Sequence, residues 1–225
     1  MELRADRIVV AGTHQPLLPS TSLFAPPCRV TLVAGDPGLQ QVTLALALGG
    51  RIRLAEGTVR LDDDADVSRL RRHVQLVDVD GVTSPEESVA TQYAVSEQLA
   101  FAERPSGRHA TRAFLADRGM EGTAGDRFEL LDGPARTCLL ADVAALRSAT
   151  RVLVLSAPDR LGGDPTIWWR RARELAAEGL TVVATVSATT PTALGVEPDA
   201  VVGRVPLPGP PTVSSQPTTP RGAHA

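Results

Sequence analysis

Lysine and asparagine are absent from this chain of 225 residues, and all 23 of its basic side chains are arginine. The absence closes every mechanism that needs a lysine: a Schiff base, a pyridoxal-phosphate linkage, a lysine general base, or the phosphate-clamping lysine of a P-loop. Arginine cannot stand in for the first three, because it does not deprotonate in proteins. GC-rich codon usage accounts for the absence as a whole, but not for what occupies particular positions. Aromatic residues are only 3% of the chain, so the core is expected to be Leu, Val and Ala. The two cysteines, Cys28 and Cys138, are far apart and form no pair motif. They imply a reduced, cytosolic compartment, and each is expected as a small buried hydrophobe. No apolar run approaches the roughly 18–20 residues of a membrane span. Met1–Arg7 is charged and leads into a strand, which is not the pattern of a signal peptide. A net charge of −3 gives no electrostatic reason to expect nucleic acid.

What is present alternates between β-branched runs and helical spacing. Arg7–Ala11, Arg29–Ala34, Thr58–Leu61, His73–Val79, Arg151–Leu155, Leu180–Ser187 and Ala200–Val205 read as strands. Leu39–Leu48 reads as a helix after a Gly-Pro turn, and Pro165–Glu178 as a helix ended by Gly179. Ser84-Pro85-Glu86-Glu87 predicts a helix start, with Pro at the first position and acids at the positive end of the dipole. From there to Ala149 the spacing is helical without a convincing strand. Alternating strands and helices indicate α/β with a largely parallel core, and the all-helical insert is the distinctive part. The last 20 residues, Pro206–Ala225, hold six prolines and no apolar period, which predicts a disordered tail.

Val30 to Gly38 reads strand, glycine turn, helix start. That is the context of a phosphate-binding loop, in which backbone amides and a helix N-terminus face an anion. On its own Gly35-x-x-Gly38 is weak, since many strand–helix turns hold two glycines. The order of the remaining segments strengthens it. From about Leu3 to Val205 the chain resembles the ATPase domain of ATP-binding-cassette (ABC) transporters. An N-terminal strand pair leads to RVTLVAGDPG, which looks like the strand and Walker A loop. GGRIRLAEGTVRLDD looks like the following segment, where a helix ends and a glycine opens a β-hairpin. LLDGPARTCLLADVAALRSATRVLVLSAPDRL looks like the signature loop, its helix and the Walker B strand. ELAAEGLTVVATVS looks like the helix and strand before the switch histidine. The resemblance implies a P-loop NTPase-like α/β domain over 1–205, with an N-terminal antiparallel β part and a helical subdomain at about 82–149.

The residues at the motif positions depart from the family's chemistry. Aligned on the pattern G-x-x-x-x-G-K-[ST], the loop runs Gly35, Asp36, Pro37, Gly38, Leu39, Gln40, Gln41, Val42, Thr43. Gln40 replaces the second glycine, Gln41 the lysine, and Val42 the hydroxyl that holds magnesium. Thr43 follows, but one residue on points about 100° away around a helix. At the Walker B positions Ser156 and Ala157 replace the Asp-Glu pair, so neither a metal partner nor a water-polarising acid is present. Asp159 lies past Pro158, off the strand. The signature-like loop reads Leu131, Asp132, Gly133, Pro134, Ala135, with an acid where the family meets a phosphate. Asp78 takes the glutamine-loop position and Ser187 the switch-histidine position. No catalytic residue and no metal ligand is assigned, and ATP and Mg are implied as cofactors only if residual binding through Gly35–Gly38 survives.

The resemblance implies a degenerate subunit that binds ATP weakly or not at all and does not hydrolyse it. Its implied partners are a membrane transporter subunit, docking at Gly81–Ala94, and a competent ABC ATPase subunit. Membrane association would then run through the partner. The alternative is a stand-alone scaffold or regulatory protein with the same fold. His14, His73, His109 and His224 lack ligand spacing. Asp62-Asp63-Asp64 with Asp66 reads as a solvated turn before it reads as a cation site. Of Trp168 and Trp169, one is expected against the sheet and one toward the surface, beside arginines.

Overall fold

The computed structural model describes residues 1–204, so the segment expected as a disordered tail lies outside the described residues. In chain order the elements are β1 (Leu3–Val10), β2 (Leu18–Ala25), β3 (Val30–Gly35), α1 (Leu39–Leu48), β4 (Glu56–Leu61), α2 (Val67–His73) and β5 (Val74–Val77). They continue with α3 (Thr91–Phe101), α4 (Arg108–Ala116), α5 (Gly133–Ala145), β6 (Val152–Ser156), α6 (Pro165–Ala177), β7 (Thr181–Ser187), α7 (Thr190–Leu194) and β8 (Ala200–Val201). Two sheets result: an antiparallel one in the order β2-β1-β4, and a parallel one in the order β5-β6-β7-β3-β8.

The parallel strands are apolar on both faces because both faces are covered. Successive side chains alternate between two cores. Leu32, Leu153, Leu155, Val182 and Ala184 join the core under α3, α5 and α6. Val33, Val152, Val154 and Val183 join the other, where α1 is packed with the antiparallel sheet. Alpha-helix 1 ends where the sequence reading placed its end, through the Gly49-Gly50 pair. Gly50 sits at φ 64, its amide donates to Ala47 O, and the Arg51 amide reaches back to Leu46 O. This is a Schellman stop, and it satisfies carbonyls that the helix leaves open.

Several expectations are corrected. No β-hairpin opens after α1: β4 pairs with β1 instead. The partner strand is bulged there. Arg7 lies at φ 46, and an added Cβ at Gly57 would lie 2.4 Å from the carbonyl oxygens of both Asp6 and Arg7. No helix starts at Ser84. The Val79 carbonyl accepts from the amides of Val82, Thr83 and Ser84, and the chain then runs beside 127–129 until α3 begins at Thr91. Cys28 is exposed in the turn between β2 and β3 at φ 58, where a side chain cannot reach either core. The short helix α2 and the strand β2 were not located from sequence. The last strand, expected over Ala200–Val205, covers Ala200–Val201 and stops before Val202–Arg204; Val205 lies outside the described residues. The two tryptophans divide less than expected: Trp168 is 1% exposed, but Trp169, instead of facing the surface, is half-buried against the same core, with ring centroids 6.1 Å apart. No helix among the described residues is long and apolar enough to cross a membrane.

Candidate functional site

Three adjacent parallel strands end at one edge of the sheet. Gly35 of β3 is registered with Ser187 of β7, and Ser156 of β6 with Thr185 of β7. The N-terminus of α1 rises from the same edge. In open α/β sheets this is where ligands bind. A cavity of about 500 Å³ occupies the place. Among the residues singled out in the sequence, Pro37, Gly38, Leu39, Gln41, Val42, Ser156, Ala157 and Ser187 line it together. Asp80, Asp159 and Arg160 complete the wall.

The loop itself is built for a tight approach. Gly35 is buried, and a Cβ on it would lie 2.7 Å from Val202 Cγ2. Gly38 takes φ 98 and ψ −132, a conformation essentially reserved for glycine. Its carbonyl accepts from the Gln41 and Val42 amides, and no side chain caps α1. Gln41 is 1% exposed and its Nε2 has no hydrogen-bond partner. Val42 is half-buried against the second core. Thr43 is turned away from the cavity, since its hydroxyl donates to Leu39 O at 2.7 Å. Asp36 and Gln40 are not among the lining residues.

Two of the three charges in the wall, Asp159 and Arg160, are already engaged, while Asp80 is exposed. An Asp159 oxygen accepts from the Ser187 amide at 2.8 Å and from the Thr190 hydroxyl, fastening the ends of β6 and β7 together. Arg160 donates to the Asp78 carboxylate at 2.8 Å and to the Asp78 and Ser156 carbonyls at 3.0 and 3.3 Å. Asp78 is 4% exposed at φ 57 and does not line the cavity. Arg136 of α5 grips both of its oxygens at 2.9 Å, and extends to Glu87 at 2.7 Å. Burial pushes the Asp78 carboxyl up, but hydrogen bonds from Arg136 and the charge of Arg160 outweigh it and hold the group below the usual carboxylate range. Arg160 and Asp80 carried no signal in the sequence: the ion cluster joins positions far apart in the chain.

The signature-like residues lie elsewhere. Asp132 caps α5, with Oδ1 accepting from the Ala135 amide at 2.8 Å. Leu131, Gly133 and Pro134 are buried. The loop Leu161–Gly163 seats on them: a Cβ at Gly133 would lie 2.9 Å from Gly162 O, and one at Gly163 would lie 2.6 Å from Pro134 Cδ. His14, His73 and His109 are not brought together. His73 Nδ1 pairs with Ala149 O at 2.7 Å. Asp62 and Asp64 pair with Arg69, and Asp66 caps α2. No cluster of metal-ligating side chains occurs among the described residues.

No protein-family model matches the sequence. No curated protein matches it. The structure, in contrast, matches many solved ones. A nucleotide-free ATP-binding cassette from an ABC transporter superposes with a TM-score of 0.63 at 16% identity over 90% of each chain. A dimeric ATP-binding cassette in a post-hydrolysis state, bound to ADP and Pi, gives 0.63 at 17% over 90% of this chain and 97% of that one. A Clostridium perfringens protein, part of an ABC transporter complex, gives 0.57 at 17% over 82% and 77%. The chain therefore has the fold of the ABC transporter ATP-binding cassette.

Proposed function

We propose that this chain is a non-hydrolysing ATP-binding-cassette subunit that works through partners. The observation that carries the reading is the cavity wall. Where an ATPase of this fold needs a cation, a hydroxyl and an acid, the wall presents Gln41, Val42 and Ala157. Its one arginine, Arg160, is held by Asp78. Phosphoryl transfer depends on positioning and on charge stabilisation by lysine and magnesium, and none of these groups remains. A charge-assisted phosphate contact is worth about 1.5–3 kcal/mol, so its loss alone weakens ATP by roughly ten- to a hundredfold.

One solved cassette of this fold is dimeric, and another is part of a transporter complex. By analogy the partners here are a competent cassette subunit and a membrane transporter subunit. Val82 and Tyr93, within the proposed docking segment Gly81–Ala94, are 53% and 66% exposed, which suits a contact there. A second reading, a stand-alone scaffold or regulatory protein, is favoured by one observation. The N-terminal turn of α5 is covered by Leu161–Gly163 and closed by Asp132, which leaves little for a partner's nucleotide to meet.

Calorimetric titration with Mg-ATP, alongside a steady-state ATPase assay, tests the chemistry. The expected result is binding weaker than micromolar and no turnover; sustained hydrolysis overturns the assignment. Co-purification with a tagged, intact cassette subunit from the same genome separates the two readings, since only the subunit reading expects capture.

A further inference from the structure

At the far end of α1, about 15 Å along the helix from the nucleotide-side cavity, a second cavity of about 360 Å³ opens between α1, β4 and α2. Its floor is apolar: Ala47, Ile52, Leu54, Val59, Val67 and Leu70. Its wall carries three arginines, Arg51, Arg53 and Arg71. Two of them are held in place by backbone. Arg51 Nη1 donates to the carbonyls of Gly49 at 3.0 Å and Val74 at 3.3 Å, and Arg71 Nε donates to Gly50 O at 2.8 Å. A guanidinium has five N–H donors, so most of each fork is left over.

Capping the helix accounts for those carbonyl bonds, but not for three cations round one apolar hollow. Elsewhere the half-buried and buried arginines, among them Arg69, Arg118, Arg136, Arg160 and Arg171, each meet a carboxylate; of the three here Arg51 is half-buried and breaks that pattern, while Arg53 and Arg71 are exposed at the cavity mouth. Among the described residues, no ion pair engages Arg51, Arg53 or Arg71. The acids nearest in sequence do not supply one: Glu56 and Asp63 are exposed and form no ion pair among the described residues, Asp62 and Asp64 are taken by Arg69, and Asp66 caps α2. The like charges are felt, since the Arg51 guanidinium is pushed below its usual range, first by burial and then by Arg147 and Arg71.

From this geometry we infer that the cavity binds a small amphiphilic anion, an apolar chain or ring carrying one carboxylate or phosphate head. The head bridges the three guanidinium groups, whose planar forks suit both anions. The body fills the apolar floor, adding about fourfold in affinity per buried methylene. The site asks nothing of the nucleotide-side cavity, so it stands or falls independently of the subunit reading.

The test uses the full chain and isothermal titration with octyl phosphate, octanoate, octanol and inorganic phosphate. Octyl phosphate and octanoate are expected to bind, with octanol and inorganic phosphate each at least about tenfold weaker, because one lacks the head and the other the body. Arg53→Gln and Arg71→Gln are each expected to weaken octyl phosphate by roughly tenfold, while Gln41→Ala in the other cavity leaves it unchanged. Arg53 is the safer variant, because its side chain is exposed and bonded to nothing among the described residues. Sedimentation with phosphatidylcholine vesicles, with and without phosphatidylglycerol, distinguishes the two sources of such a head. Arg53-dependent binding to the anionic vesicles assigns the site to a bilayer lipid. Binding of octyl phosphate without sedimentation assigns it to a soluble ligand. Octanol binding as tightly as octyl phosphate, indifference to the Arg53 variant, or no binding of either anion overturns the proposal.

Discussion

Asp78 shows what an all-arginine basic set does well. Its two oxygens meet Arg136 through two parallel bonds and Arg160 through a third contact, and the Arg136 guanidinium also stacks 4.6 Å from the Phe128 ring centroid. A lysine offers neither the fork nor the plane. Asp78→Asn leaves the buried Arg136 with only the half-exposed Glu87 as ionic partner and removes the carboxylate that holds Arg160, and is expected to lower stability by about 3 kcal/mol, read from the urea midpoint. Because the folded carboxyl lies below its unfolded value of about 3.9, its contribution is complete above that pH and is lost as pH falls through the lower folded value. The acid limb of stability against pH is therefore expected to be shallower in Asp78→Asn than in the wild type. The cysteines give a second expectation at this scale. The Cys138 thiol is pushed up to about 11, first by burial and then by Asp142. Cys28 is exposed. At neutral pH a thiol reagent should modify Cys28 rapidly and the half-buried Cys138 far more slowly, and a Cys28→Ser variant should lose the fast phase.

Among the elements, α5 and α6 both begin Asp-x-x with a side-chain cap, and both carry Pro in the first turn. Asp132→Ala is expected to cost about 1 kcal/mol in thermal or chemical unfolding, and Asp164→Ala to lower the unfolding midpoint as well. Only the first also loosens the turn under Leu161–Gly163, so limited proteolysis in that loop should distinguish them. The elements legible in the sequence were those with a complete local grammar. Leu39–Leu48 has helical spacing and a double-glycine stop. The strands around Val152–Ser156 and Thr181–Ser187 are bare apolar runs. Beta-strand 2, LPSTSLFA, hides its inward positions among hydroxyls and a proline, and α2 has only seven residues after an acidic turn. Ser84–Glu87 carries a good helix signal that long-range bonds override, because Glu87 is claimed by Arg136 and its carbonyl by the Glu129 amide. The site divides the same way. The loop at Gly35–Val42 and the strand ends at Ser156 and Ser187 were legible, being local. Asp80 and Arg160 were not, since what places Arg160 is Asp78, 82 residues earlier.

Across the whole molecule, one parallel sheet separates two cores, and each core belongs to a different set of helices. Such an arrangement invites the helical layer of α3, α4 and α5 to come away as a unit. The Asp78 cluster opposes this mechanically. It joins the end of β5, the body of α5, the loop after β6 and the segment before α3 at a single point. Any shear of the helical layer over the sheet must break bidentate bonds in a place that water does not reach. The layers are thus pinned and should melt together, giving one calorimetric transition for the folded domain. A scaffold of this kind transmits force rather than yielding to it: whatever docks on the helical layer moves the sheet with it, as one lever.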